Sequence, residues 1–155
     1  MTAYKLRVGS TGVNSNDLYS SAAITATSVN VTTLPTNGET INARLYFEIN
    51  GVWQHFDCTY KAWTQPALTA PGPGSTLSGS TVQFTWLGGT GVTGYQLWLG
   101  STGVNSNNLY SSGVTAGTSV MAHSLPTSGN TIYARLYYQL NGAWYHIDYT
   151  FTAAP

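Results

Sequence analysis

The chain is poor in charge. Charged side chains make up 6% of its 155 residues, against about 25% in an average soluble domain, and the net charge is zero. No basic patch exists to bind nucleic acid, so we expect no nucleic-acid partner. Like-charge repulsion hardly opposes contact between copies of such a chain. This composition suits a secreted or cell-surface protein that packs densely.

Cysteine and long apolar runs are also scarce. Cys58 is the only cysteine, which excludes an intramolecular disulfide, and we interpret it as a small buried apolar residue. No apolar run approaches the ~20 residues of a membrane helix, and no signal peptide is recognisable. We therefore expect no membrane insertion. If the protein is exported, this sequence corresponds to its mature part.

Groups that carry chemistry are few. His55 and His146 each stand alone in a predicted hairpin, without a second His or Cys at the spacing of a metal site. Asp57 and Asp148 are expected to pair with arginines. The GSTGVNSN segments lack the Lys and the following helix of a phosphate-binding loop. We predict no enzyme activity, no metal and no cofactor.

What the chain does contain is an internal repeat. Residues 4–62 align with residues 95–153 at an offset of 91, with 34 of 59 positions identical. GSTGVNSN, LPT and ARLY occur in both copies. Only the second copy follows a further segment, residues 74–93, which contains TVQFTW. The first copy therefore reads as a truncated version of the second.

Both copies show the alternation of β-strands and no helical periodicity. Asn-Gly at residues 50–51 and 141–142 predicts two-residue type I′ hairpins, which fix the register of the flanking strands. Leu45, Phe47, Ile49 and Phe56 then lie on the core side. The cross-strand pairs on the other side are Arg44–Asp57, Tyr46–His55, Glu48–Trp53, Arg135–Asp148, Tyr137–His146 and Gln139–Trp144.

The segment VQFTWLGGTGVTGYQLWLG resembles the second and third strands of a fibronectin type III domain. Trp86 lies where that family has its core Trp, and Tyr95 lies at the Tyr that opens the third strand. LPTSGNTIYARLYYQLNG resembles the stretch that leads into strand six. The resemblance implies an all-β, Ig-like (fibronectin type III-like) sandwich, and this family is mostly non-enzymatic, serving as spacer, adhesion or binding modules.

Turn signals every 8–12 residues agree with such a sandwich. We predict a truncated repeat over residues 1–63 with strands C to G, and a complete repeat over residues 71–155. Residues 64–70 are predicted as a linker that starts a Pro/Gly/Thr-rich stretch, and this stretch, residues 64–79, is expected to contain the short A strand. Strands A and B have no counterpart in the first copy.

The missing strands would carry the equivalents of Val82, Phe84 and Trp86. Their burial contributes on the order of 5–9 kcal/mol, comparable with the whole stability of a small domain. The first copy should therefore expose an apolar acceptor trough. We assign Leu6, Val8, Leu45, Phe47 and Phe56 to this trough.

Three arrangements cover such a trough. The A–B segment folds onto the first copy, or it serves the second copy while another chain completes the first, or two open halves pack face to face. We predict a homo-oligomer or filament formed by strand exchange, with Val82, Phe84 and Trp86 as the donated strand face. The alternative is a sequence cut at Tyr4, because Met1-Thr2-Ala3 resembles a start added to a fragment.

A second function is suggested by the aromatic residues on the outer face. Trp98, Tyr137, Gln139, Trp144 and His146 form a possible glycan platform, so the alternative function is a carbohydrate-binding module with a polysaccharide partner. Lys5 and Arg7 replace Gln96 and Trp98 in the first copy, where the platform should be weaker. The same side chains would also serve as sheet-stabilising pairs or as an interface with a neighbouring subunit.

Overall fold

The computed structural model describes residues 3–155, which form eleven β-strands and no helix. The chain divides into two compact units between Thr64 and Gln65. The strands of the first unit are β1 (Tyr4–Gly9), β2 (Tyr19–Ser20), β3 (Thr40–Ile49) and β4 (Val52–Lys61). The strands of the second unit are β5 (Ala67–Ala70), β6 (Val82–Leu87), β7 (Val92–Gly100), β8 (Tyr110–Ser111), β9 (Ser119–Ala122), β10 (Thr131–Leu140) and β11 (Ala143–Thr152).

The second unit is a complete seven-stranded sandwich. One sheet has the order β5-β6-β9 and the other β11-β10-β7-β8, which is the A-B-E and C′-C-F-G arrangement expected from the resemblance. Phe84 of one sheet meets Phe151 of the other edge to face, with ring centroids 5.5 Å apart. Trp86 packs on Tyr95 at 5.6 Å. The predicted fibronectin type III-like fold is confirmed.

The first unit has one sheet, with the order β2-β1-β3-β4. Its buried core consists of Val8, Ile41 and Ala62, with Val31 packed against them. The predicted E strand of the first unit does not form, and residues 25–36 contain no strand. In the second unit the E strand, β9, pairs only with the B strand, β6, so a sheet without a B strand offers the equivalent segment no hydrogen-bonding partner.

The two hairpins form as predicted. Asn50 and Gly51 have φ values of 51° and 77°, and Asn141 and Gly142 have 52° and 81°, as a type I′ turn requires. All six predicted cross-strand pairs occur in the resulting registers. The two hairpins therefore carry the Arg–Asp and Tyr–His pairs at the same places, whereas Glu48 of the first is Gln139 in the second.

The boundary between the units differs from the predicted linker over residues 64–70. Thr64 forms a β-bridge with Asn37 in the first unit, whereas β5 already belongs to the second unit and pairs with β6. The stretch is rich in Pro, Gly and Thr, but Leu68 is buried in the sandwich, and that burial holds the segment in place. Residues 1 and 2 of the predicted first domain lie outside the described residues.

Candidate functional site

The inner face of the first unit is exposed. Leu45 retains 38% of its accessible surface, whereas Leu136, at the equivalent position of the second unit, retains none. Tyr60 is 60% exposed and its equivalent, Phe151, 2%. The side chains are similar, so the difference comes from the β5-β6-β9 sheet, which covers this face only in the second unit.

These side chains form a groove of about 610 Å³. Four of the five predicted trough residues line it, namely Leu6, Val8, Leu45 and Phe56. The fifth, Phe47, lies half-buried on the same side of β3, outside the groove lining. Lys61 is the only charged side chain in the lining. We define the open face as Leu6, Leu34, Leu45, Phe56 and Tyr60. Val8 lines the groove but is buried, so the structure places this predicted trough residue in the core of the unit.

Cys58 also lines this groove. It is half-buried rather than buried, and its sulfur forms a hydrogen bond of 3.3 Å with the Tyr60 hydroxyl. This contact raises the pKa of the Tyr60 hydroxyl. The interpretation of Cys58 as a buried apolar residue is therefore corrected: without a covering sheet, its position on β4 remains partly open to solvent.

The free edge of β4 adjoins the open face. In the second unit the equivalent edge of β11 is covered by residues 74–77, which run parallel to it. Gly74 N donates to Thr150 O at 2.9 Å, and Leu77 N donates to Thr152 O at 2.8 Å. No segment among residues 3–64 makes the equivalent bonds to β4. An unpaired edge and an apolar face therefore lie side by side, a combination that favours strand addition or sheet association.

The predicted donated face is not free. Val82, Phe84 and Trp86 retain 5%, 0% and 4% of their accessible surface, and β6 is paired with both β5 and β9. The structure therefore places these residues in the core of their own unit. Donation to another chain would remove that core, because no other described strand replaces β6.

The outer faces of both units carry similar hydrogen-bonded clusters, although the arginine that binds the loop asparagine is Arg135 in the second unit and Arg7 in the first. Arg135 binds Asp148 through two bonds of 2.6 and 2.9 Å, and its Nη1 donates to Asn105 Oδ1 at 2.7 Å. Tyr137 Oη donates to the same Asn105 oxygen at 2.9 Å. The hydrogen bonds from Arg135 lower the pKa of Asp148. The GSTGVNSN loop is thus tied to the sheet through its Asn.

In the first unit Arg44 binds Asp57 at 2.6 and 2.8 Å, and Tyr46 donates to Asn14 at 2.7 Å. Arg44 lowers the pKa of Asp57, and Asp57 in turn raises the pKa of Arg44. Sequence reasoning found the arginine–aspartate pairs but missed the asparagines. The signal available was the identity of the two loops, in which both Asn14 and Asn105 adopt positive φ.

The structure brings the predicted glycan residues together on one face. Trp98 and Tyr137 lie edge to face with centroids 4.9 Å apart, and Tyr137 lies 5.8 Å from the ring of His146. These rings are tilted against one another and form a ladder, not one flat surface. Trp144, beside Gln139, is 43% exposed. The Nε1 atom of Trp98 is buried without a hydrogen-bond partner.

The histidines sit beside carboxylates. His55 Nε2 and His146 Nε2 each lie 3.9 Å from an oxygen of Asp57 or Asp148. Within residues 3–155, no cluster of three His, Cys, Asp or Glu side chains is placed to hold a metal ion.

The hydroxyl of Ser10 donates to Asp17 at 2.8 Å and lowers the pKa of that carboxyl to about 2.

No protein-family model matches the chain, and a comparison with curated protein sequences finds no match either. Among solved structures, the chain is similar to the FN1-FN3 domains of chicken CNTN1, with 11% sequence identity and a TM-score of 0.40. The alignment covers 99% of this chain and 54% of that one, so the chain spans about half its length. The fold assignment rests on the strand order of the second unit.

That strand order defines a fibronectin type III-like module. Between residues 3 and 155 there is no helix of the length and apolarity needed to cross a membrane.

Proposed function

We propose that this chain is a non-enzymatic, extracellular structural module that associates with a second copy of itself through the open face of its first unit. The observation that carries the proposal is the matched pair Leu45 and Leu136, which have the same identity and register but exposures of 38% and 0%. Monomeric soluble proteins rarely expose a contiguous apolar patch of this kind without a partner. The low charge of the chain supports dense packing with other copies.

The number of A–B segments in each chain favours face-to-face packing over strand exchange. Each chain has one A–B segment, β5 and β6, and two sheets that need it. Exchanging this segment between chains changes which sheet is covered, but one open sheet per chain always remains. Two open faces packed together cover each other, and such a contact is a closed, two-fold symmetric dimer. A filament would instead require a second, different contact.

The chemistry of the open face is compatible with a copy of itself. Apolar and aromatic side chains occupy its centre, and Lys61, its one charged lining residue, ends β4 at the rim. This distribution matches the apolar core and polar rim of homodimer interfaces. A two-fold contact brings no like charges together at its centre.

Sedimentation analysis of the full chain tests this proposal. We expect a concentration-dependent dimer of twice the 16.5 kDa chain mass. Phe56→Arg should give a monomer, because Phe56 is 63% exposed on the open face and would place two like charges in the contact. Val114→Arg is the matched control, since Val114 is 66% exposed in the second unit. A wild-type monomer at every concentration overturns the proposal.

A second test covers the open face by design. A copy of residues 65–94 is fused ahead of Tyr4, so that the first unit receives its own A and B strands. The fused chain should be monomeric, with Leu45 protected as Leu136 is. A fused chain that still dimerises would locate the contact elsewhere.

Carbohydrate binding by the outer face of the second unit is the second candidate function. It is favoured by the exposed indole of Trp144 beside the amide of Gln139, because sugar rings stack on such indoles. A neutral glucan oligosaccharide should change the tryptophan fluorescence of the full chain, and Trp144→Ala should remove the change. No response to neutral glycans in the wild-type chain would contradict this candidate.

A further inference from the structure

The outer face of the first unit contains a cleft beside Arg7. At the equivalent place in the second unit a bulkier side chain fills the space. The cleft has a volume of about 450 Å³ and is lined by Lys5, Arg7, Ser20, Ser21, Ala22, Ala23, Tyr46 and Trp53. At the position of Arg7 the second unit has Trp98, whose indole packs against Tyr137 at 4.9 Å. The first unit has the Arg7 guanidinium in place of that indole, 5.4 Å from the ring centroid of Tyr46, and both residues line the cleft.

The charge in this cleft is unbalanced. Arg7 contacts only neutral oxygens, Asn14 Oδ1 at 3.1 Å and Tyr46 Oη at 3.5 Å. Its cross-strand neighbour Arg44 binds Asp57 through both carboxylate oxygens. No carboxylate lines the cleft, although Glu48 lies farther along the same face of β3, opposite Trp53.

The rest of the lining is suited to a sugar ring. Lys5 Nζ lies 4.5 Å from the ring centroid of Trp53, so a second cation stands at the aromatic wall. Trp53 is 37% exposed, and Ser20 and Ser21 line the same space. Ser21 Oγ accepts a hydrogen bond from Leu6 N at 2.8 Å, so Ser20 carries the hydroxyl without such a bond. A guanidinium binds carboxylate through paired, charge-assisted hydrogen bonds. Aromatic walls and hydroxyls accommodate the apolar face and the hydroxyls of a pyranose.

We propose that this cleft binds a sugar ring that carries a carboxylate, a uronate, with Arg7 and Lys5 on the carboxylate and with Tyr46 and Trp53 against the ring. Its volume lies within the range of small-molecule sites. The cleft is on the side of the sheet opposite the open face, because Lys5 and Arg7 alternate with Leu6 and Val8 along β1. Binding is therefore separate from self-association.

Glucuronate, with glucose as its neutral match, tests the inference by backbone and indole NMR of the full chain. We expect glucuronate to shift the signals of β1, residues 20–23 and the Trp53 indole, and glucose to shift them at least about tenfold less at equal concentration, because it lacks the charge-assisted bonds. Equal responses to the two sugars, or no response to glucuronate, would overturn the proposal.

The second unit supplies safe substitutions. Lys5→Gln with Arg7→Trp installs the residues with which the second unit folds, and it should weaken glucuronate binding roughly tenfold or more. Lys61→Gln removes a cation elsewhere and should leave binding unchanged. If the double variant is misfolded by NMR, Arg7→Gln alone provides the same comparison. Retained binding in a folded Arg7 variant would refute the assignment.

The two proposals fail separately. Phe56→Arg removes the dimer contact but leaves the cleft intact, so this variant should bind glucuronate as the wild type does. Loss of binding in Phe56→Arg would contradict a site on the outer face of the monomer. The reverse exchange, Gln96→Lys with Trp98→Arg, should create glucuronate-dependent shifts in β7, and their absence would count against the role of the two cations.

Discussion

Truncation of the two equivalent leucines should have unequal consequences. Leu136→Ala removes a side chain that is fully buried beneath the β5-β6-β9 sheet and should destabilise the second unit by about 2–5 kcal/mol. Leu45→Ala removes a side chain that is 38% exposed, so less apolar area is lost, and the cost in a monomer should be about 1–2 kcal/mol. The two leucines are matched in residue type, in strand register and in neighbouring sequence.

Hydrogen exchange read by mass spectrometry measures both effects in the full chain, because peptides from β3 and β10 report on separate units. Exchange of β10 should accelerate by roughly 30-fold or more in Leu136→Ala, and that of β3 by about 5- to 30-fold in Leu45→Ala. At high protein concentration the acceleration in Leu45→Ala should grow, because the proposed dimer would bury Leu45.

One result would refute this reasoning. If, in dilute solution, Leu45→Ala accelerates the exchange of β3 as much as Leu136→Ala accelerates that of β10, Leu45 is already covered within its own chain. The open face would then not exist in solution, and self-association through it would have no basis. A concentration-independent response in Leu45→Ala would also contradict the dimer, while leaving the open face itself intact.

Three further predictions concern single residues. Phe84→Ala should cost roughly 3–5 kcal/mol by calorimetry, because Phe84 is fully buried against Phe151. Gly142→Ala should cost about 1–2 kcal/mol in the same assay, because φ is 81° there. Folding lowers the pKa of Asp17 from 3.8 to about 2 through the hydrogen bonds from Ser10. The ionised carboxylate therefore stabilises the fold above pH 4, and this contribution is lost as the pH falls toward 2. NMR titration of the folded chain should give a pKa of about 2 for Asp17, and an unshifted value would contradict the contact with Ser10.

Local pattern was enough to predict the strands and their registers. Alternation and the Asn-Gly turns fix which side chains share a face, since both signals act over a few residues. The complete sandwich followed from seven such strands and from Trp86 and Tyr95, which pack at 5.6 Å. The arginine–aspartate pairs followed from the hairpin register alone.

What the sequence did not predict depends on distant partners. Residues 28–31 resemble β9 in sequence, yet they form no strand, because the strand that would bind them is absent from the unit. β5 lies within the Pro- and Gly-rich stretch where the A strand was expected, but its bounds there depend on pairing with β6. Asn14 reaches Tyr46 across 32 residues, a contact that no local pattern encodes. The cleft at Arg7 required a comparison of the two units in three dimensions.

The two units also separate what determines pairing from what determines burial. β3 and β10 are identical at six of their ten positions and have equivalent neighbours within their sheets, so the strands pair alike in both units. Burial differs because it depends on a second layer, which is present in one unit only. The uncovered positions nevertheless carry leucine, phenylalanine and tyrosine, residues that gain free energy when they leave water. A sheet with such a face reaches its most stable state only in contact with another apolar surface, and the contact between two first units is the one that every copy of the chain can make.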